Sequence, residues 1–209
     1  MKTKLELTTW KRKAHFEFFN SFEDPFWGLT ANVDCHEAYI FSQKKNISFF
    51  LLYLHRSLLA ANAMDEFKMR IENGEVYIYD KVHASPTISR EDKTFGFAYF
   101  DFYEDFETFA GQAAEEIRKV RSGKDLIPAT KNENVIHYSS IPWISFRAVE
   151  YPRFKPGDDS IPKITFGKLY KEKGKFLMPV SVLVNHALMD AYHIGNYLNS
   201  FQKLLEQSP

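Results

Sequence analysis

The sequence predicts an α+β fold in which helices cover one largely antiparallel sheet. Three observations lead there. Helical and strand-like apolar patterns alternate irregularly along the chain. An Asn73-Gly74 pair flanked by β-prone residues marks a tight hairpin, and a second hairpin is written around Lys171-Glu-Lys-Gly-Lys. Taken in order, Thr8 and Thr9 can cap a helix beginning near Trp10, because Trp10, Ala14 and Phe18 fall on one face. Residues 29–33 alternate as a strand, 36–44 read as a helix, and 49–64 as a stronger helix capped by Ser48. Residues 68–80 form the first hairpin, since Asn73-Gly74 supplies the positive-φ pair of a type I′ turn. Residues 86–91 and 94–101 read as strands. Residues 103–120 read as a helix, with Phe106, Phe109, Ala113 and Ile117 on one face and Ser122-Gly123 at its exit. A loop is expected over 125–133, strands over 135–139 and 144–149 around Ile141-Pro142-Trp143, and the second hairpin over 164–170 and 176–184. The last helix, 189–206, places Tyr197, Leu198, Phe201, Leu204 and Leu205 on one face.

Composition bounds the function. The chain has 209 residues, 27 Lys+Arg against 27 Asp+Glu, one Cys and 20 Phe. This length suits a single domain over 1–209 with a self-sufficient core. Zero formal net charge lacks the basic field that phosphate backbones require, so nucleic-acid binding is disfavoured. One cysteine forms no internal disulfide and no Cys-based zinc site. No apolar run is long enough to cross a membrane, and no secretory pattern follows Met1. A soluble, cytoplasmic protein is the expectation.

The most informative stretch is Val182-Leu-Val-Asn185-His186-Ala-Leu-Met-Asp190-Ala-Tyr-His193. An apolar strand ends at Asn185-His186 and a helix follows, which places an imidazole at the carboxyl end of a strand. Imidazole suits general-base work near neutrality, and Asp190 in the first helical turn interacts well with the helix dipole. Taken alone, His186 also fits a hydrogen-bonded structural histidine, and Asp190 a helix-start residue. The spacing His186, Asp190, His193 matches no standard zinc pattern, so no metal is expected.

Asn185-His-Ala-Leu-Met-Asp-Ala-Tyr-His193 resembles the HHxxxDGxH signature of the chloramphenicol acetyltransferase family. Trp10-Lys-Arg12-Lys-Ala-His15-Phe16 resembles the family's WxRxxHF, and Phe67-Lys-Met-Arg-Ile-Glu-Asn-Gly-Glu-Val-Tyr-Ile-Tyr-Asp80 its FRMAxxDGELVIWD hairpin. Ser139-Ser-Ile-Pro142-Trp143-Ile-Ser-Phe146 resembles SxxPWxxF. The segments follow in family order from about residue 6 to 206. The resemblance implies a two-layer α/β sandwich with a mostly antiparallel or mixed sheet, assembled as a homotrimer with sites between subunits. It implies transfer of an acetyl group from acetyl-CoA to a hydroxyl of chloramphenicol by direct attack, with no acyl-enzyme and no permanently bound cofactor.

By the same resemblance, His186 is the general base, Ser139 donates to the oxyanion, and Thr165 assists through a water. Arg12 and Asp190 form a structural ion pair, expected to be bidentate. Lys168 lies near the CoA phosphates and Tyr170 near the adenine. Phe19 and Trp27 belong to the acceptor pocket, with Phe26, Phe95, Phe97, Tyr99 and Phe100 as further aromatic candidates. The chain departs from the pattern at Asn185 for the first His, Ala191 for Gly, and Phe19 for a tyrosine. The last leaves open the same chemistry on a different hydroxyl acceptor, and a non-catalytic trimer that binds CoA or another ligand is a third reading.

Overall fold

The computed structural model describes residues 1–126, 132–152 and 159–207. Its larger sheet is built on β10 (Lys175–Asn185), which pairs antiparallel with β2 (Phe26–Asp34) on one side and β8 (Lys163–Phe166) on the other. The strand order is β2-β10-β8-β7-β5-β6, where β5 is His83–Ser89, β6 Phe95–Phe97 and β7 Val135–Ser140. Both pairs that involve β7 are parallel, so the sheet is mixed. A smaller antiparallel sheet joins β1 (Lys2–Lys4), β4 (Glu75–Tyr79) and β3 (Met69–Glu72), with Asn73 and Gly74 at φ 53 and 77 in the predicted hairpin turn. Arg70 ties this sheet to the larger one. Its fully buried guanidinium donates to the carbonyls of Glu133, Phe67, Met69 and Val135, and burial pushes its pKa down to about 10.

Helices cover one face of the large sheet. They are α1 (Lys13–Phe19), α2 (His36–Lys45), α3 (Phe49–Asn62), α4 (Asp65–Lys68), α5 (Phe106–Ser122) and α6 (Ala191–Leu205). Ser48 caps α3 through Leu51 N as its sequence predicts, and Asp105 caps α5 through Thr108 N. Leu52, Leu54 and Leu58 of α3 and Tyr197, Phe201 and Leu205 of α6 close on Tyr138, Ile164, Phe166, Val180 and Val182 of the sheet. Ser57 Oγ satisfies two buried phenols at once, Tyr138 at 2.9 Å and Tyr197 at 2.6 Å.

Several boundaries differ from the sequence reading. Helix α1 begins at Lys13, not near Trp10, because Thr8 spends its hydroxyl and amide on Glu6 Oε1 and Thr9 its hydroxyl on the Glu6 carbonyl. Residues 144–149 are not a strand; after Pro142 the chain crosses the end of β8, with Ile141 N on Phe166 O and Lys168 N on Ile144 O. The single strand expected over 164–170 is two. Pro179 of β10 has no N–H to continue the ladder, and Gly167 passes so close that an added Cβ would sit 2.6 Å from Pro179 Cγ. Pairing resumes at β9 (Tyr170–Glu172). Of the loop expected over 125–133, residues 127–131 lie outside the described residues.

Candidate active site

Strand β10 ends at Asn185, and the chain turns at once. The Asn185 carbonyl accepts from Leu188 N and Met189 N at 3.1 and 3.0 Å, and its side-chain Oδ1 accepts from Ala187 N at 2.9 Å. Its Nδ2 donates to the Asp159 carbonyl at 3.2 Å. Asp159 also pairs with the buried Lys163 Nζ at 2.7 Å, which in turn lies 4.1 Å from the Phe26 ring centroid. The residue that departs from the family's first histidine therefore builds the turn.

That turn presents His186, half-buried, with its backbone N–H on the Pro25 carbonyl at 2.8 Å. His186 Nδ1 lies 3.0 Å from the Met189 carbonyl oxygen. A carbonyl only accepts, so Nδ1 is assigned the proton and Nε2 keeps its lone pair. The Phe19 ring stacks on the imidazole at 3.9 Å between centroids and 29°, and the Trp27 ring lies at 5.0 Å and 43°. Trp27 Nε1 donates to the same Met189 carbonyl at 3.1 Å.

Asp190 follows as the N-cap of α6, accepting from Tyr192 N at 3.0 Å. Its Oδ2 lies 2.5 Å from Arg12 Nη1. The expected fork is not formed: among the described residues Arg12 Nε and Nη2 are buried without hydrogen-bond partners, so the pair is a single contact, not a bidentate one. At Asp190 burial opposes ionisation. The hydrogen bond from Arg12 and the charges of His193 and Arg12 outweigh it, and the carboxyl is held below its ordinary range. His193 Nδ1 lies 2.8 Å from Asp190 Oδ1 and 3.1 Å from Asp190 N; it donates to the first or accepts from the second, not both. Among the described residues no hydrogen bond, ion pair or ring contact joins His186 to this group. Among the described residues no three His, Cys, Asp or Glu converge as a metal site.

The hydroxyl residues lie elsewhere on the sheet. Ser139 of β7 is in register with Thr165 of β8, Thr165 with Ser181 of β10, and Ser181 with Thr30 of β2. They share the face opposite Tyr138 and Ile164, away from the helices. Thr87 Oγ1 reaches Ser139 Oγ at 3.5 Å, and the fully buried Thr165 shares its hydroxyl hydrogen bond with Tyr151 OH. Two strand spacings and five residues of rise put Ser139 roughly 19 Å from His186 within one chain. Tyr170 lines a cleft of about 480 Å³ with Asn32, Phe146, Arg147 and Lys171, at the end of the sheet nearer the hydroxyl row. Lys168 is exposed and is not in that lining. Of the aromatic candidates, Phe100 is core, fully buried near Phe109.

Sequence reasoning missed Tyr151, Arg147 and the Met189 carbonyl. Tyr151 lies in a connection without periodic signal, Arg147 in a stretch that reads as strand and is not one, and a backbone acceptor has no residue signature.

A family model described as chloramphenicol acetyltransferase matches residues 1–202. The chain belongs to the chloramphenicol acetyltransferase family. It is 30% identical to the chloramphenicol acetyltransferase of Escherichia coli over 207 residues, covering 98% of this chain and 94% of that one. The Proteus mirabilis chloramphenicol acetyltransferase is 28% identical over 97% of this chain and 94% of its own length. A solved chloramphenicol acetyltransferase structure superposes with TM-score 0.92 at 28% identity, covering 98% of this chain and all of that one. A probable dihydrolipoamide acetyltransferase from Listeria monocytogenes shares the fold at TM-score 0.69 and 14% identity, over 92% of this chain and 88% of its own. The α+β sandwich read from the sequence is thus the fold of the chloramphenicol acetyltransferase family. No helix among the described residues is long and apolar enough to cross a membrane.

Proposed function

We propose that this acyltransferase moves the acetyl group of acetyl-CoA onto a hydroxyl of chloramphenicol, a reaction that confers antibiotic resistance in the cytoplasm. The observation that carries the mechanism is the Nδ1 contact of His186 with the Met189 carbonyl at 3.0 Å, which leaves Nε2 free to take a proton. His186 Nε2 accepts the acceptor's hydroxyl proton as that oxygen attacks the thioester carbonyl. The tetrahedral intermediate collapses with loss of the CoA thiolate, which takes the proton back from His186. Ser139 donates to the oxyanion, a role worth about 3 kcal/mol. Thr165 and its partner Tyr151 extend the donor row behind it. The Arg12–Asp190 pair holds the corner and moves no proton. Tyr170, with Arg147 and Lys171, suits the nucleotide end of acetyl-CoA; Lys168, outside that lining, is assigned to the phosphates by the family resemblance alone.

A separation of roughly 19 Å bars His186 and Ser139 of one chain from the same reacting carbonyl. The reading therefore takes the base from one chain and the hydroxyl row from its neighbour in a homotrimer. Complementation tests this. His186→Ala and Ser139→Ala are each expected to lose at least a hundredfold in kcat. Co-refolded in equal amounts, they recover about a quarter of wild-type turnover, because one contact in four then joins an intact histidine to an intact serine. No recovery in verified mixed trimers sinks the shared site, and full activity of His186→Ala sinks the base.

A second reading keeps the chemistry and changes the acceptor. Phe19, which stacks on His186, offers no hydroxyl where the resemblance expects one. Free thiol released from acetyl-CoA with other alcohols, and not with chloramphenicol, selects this reading.

A further inference from the structure

The sequence assigns Trp27 to the acceptor pocket, but its polar atom points elsewhere. The indole Nε1–H donates to the Met189 carbonyl at 3.1 Å, and His186 Nδ1 meets the same oxygen at 3.0 Å. That carbonyl lies just past the turn at 186–188, at the junction before Asp190 caps α6. Its two lone pairs are filled by two donors, one on β2 and one on the turn. The Trp27 ring stands 5.0 Å from the imidazole at 43°, while Phe19 closes the other contact at 3.9 Å.

We propose that Trp27 is a positioning residue: by anchoring the Met189 carbonyl it holds His186 in the tautomer with its proton on Nδ1 and its lone pair on Nε2. The inference rests on the general-base reading of His186. The physical need is plain. A neutral imidazole has two tautomers, and only the hydrogen bond made by one nitrogen decides which the other adopts. The Met189 carbonyl is the one acceptor His186 Nδ1 has among the described residues. Backbone oxygen just outside a helix is free to rotate away, and the indole N–H of an adjacent strand is what prevents this. β2 itself is fixed by its long antiparallel register with β10, Trp27 pairing with Val184 and Phe26 with Asn185. The position of the donor is therefore set by the strand that carries the histidine.

The test replaces Trp27 site-specifically with 3-benzothienylalanine, which keeps the ring and puts sulfur where the N–H was, beside Trp27→Phe. Three readouts are taken on the whole protein: imidazole ¹⁵N signals assigned to His186 by comparison with His186→Ala, thermal unfolding, and steady-state kinetics. In the wild type, Nδ1 is expected as the protonated, pyrrole-type nitrogen and Nε2 as the pyridine type. In the isostere the two signals move toward each other as both tautomers populate. kcat falls about fivefold to tenfold, the equivalent of one hydrogen bond, with the acceptor KM unchanged and the unfolding temperature lowered by no more than the few degrees that one hydrogen bond is worth. A loss of kcat with unmoved ¹⁵N signals overturns the proposal, as does a rise confined to acceptor KM, which would return Trp27 to the pocket. Unchanged kinetics and signals overturn it too. If His186→Ala stays active, the base reading fails instead, and the ¹⁵N comparison still decides whether Trp27 sets the tautomer.

Discussion

Deleting Arg12 and deleting Asp190 are expected to cost different amounts, although they are partners in one ion pair. Arg12→Ala removes a single charge-assisted hydrogen bond, Nη1 to Oδ2 at 2.5 Å, worth about 1.5–3 kcal/mol. It also removes two buried N–H groups, Nε and Nη2, that have no partner and cost of order 1 kcal/mol each to keep. The carboxylate left behind is 31% exposed and still bonded to Tyr192 N. The net cost is no more than about 1 kcal/mol. Asp190→Ala instead strands a guanidinium only 15% exposed with no acceptor at all. Stranding a fully buried charge costs about 3–5 kcal/mol; partial exposure brings this toward the lower end, and loss of the α6 cap adds about 1 kcal/mol. A gap of about 3 kcal/mol follows, roughly 160-fold in the folding equilibrium. The double variant is expected to be more stable than Asp190→Ala alone, because the stranded charge goes with it. Urea unfolding followed by circular dichroism measures this, at one fixed protein concentration because the proposed trimer would make apparent stability concentration-dependent. Equal costs, a costlier Arg12→Ala, or a double variant weaker than Asp190→Ala refutes the reasoning.

The same pair sets a pH dependence. Asp190 is depressed in the folded state, so its contribution is fully present above the ordinary aspartate pKa and is lost as pH falls through the lower folded value. The difference in urea midpoint between wild type and Asp190→Asn should therefore be constant near neutrality and shrink below about pH 4; constancy down to pH 2 would contradict it. Asn185→Ala removes the buried acceptor for Ala187 N and the part-buried bridge to Asp159. It is expected to cost about 1–3 kcal/mol by urea unfolding and to lower kcat, since the turn that carries His186 loosens. Unaltered kcat in a destabilised Asn185→Ala would separate the turn from the base.

What was legible in the sequence was local or periodic. The Ser48 cap, the Asn73-Gly74 turn and the apolar stripe of α6 depend on residues within a few positions, and each appears where its chemistry requires. Strand β1, three exposed residues reading Lys-Thr-Lys, has no apolar signature; it is a strand by antiparallel backbone pairing with β4, and its Lys2 and Lys4 reach Glu72 and Glu75 of the neighbouring hairpin. The break between β8 and β9 is set by Pro179, a residue on another strand. The site follows the same division. His186 at a strand end can be read from the apolar run before it. That Trp27 points its N–H at Met189, and Tyr151 its hydroxyl at Thr165, depends on register and on a backbone carbonyl, which a one-dimensional pattern does not encode.

Under the proposed mechanism a single chain holds only half the chemistry, and the two faces of the large sheet give the physical reason. One face carries Tyr138, Ile164, Phe166, Val180 and Val182 and is spent on the helices. The other carries the half-buried Ser139 and the buried Thr165, Ser181, Lys163 and Asn185, polar side chains that no monomeric core would choose to bury. Polar groups on that face have value where a reaction develops charge or where a second chain supplies partners. Because β10 lies two strands from β7, the sheet cannot bring its own strand-end imidazole to its own hydroxyl row, whatever its side-chain rotamers. Within the proposed mechanism, the base and the oxyanion donor are brought within bonding distance by association of chains. Activity then follows the trimer population, and dilution or an interface substitution should abolish turnover before it unfolds the chain.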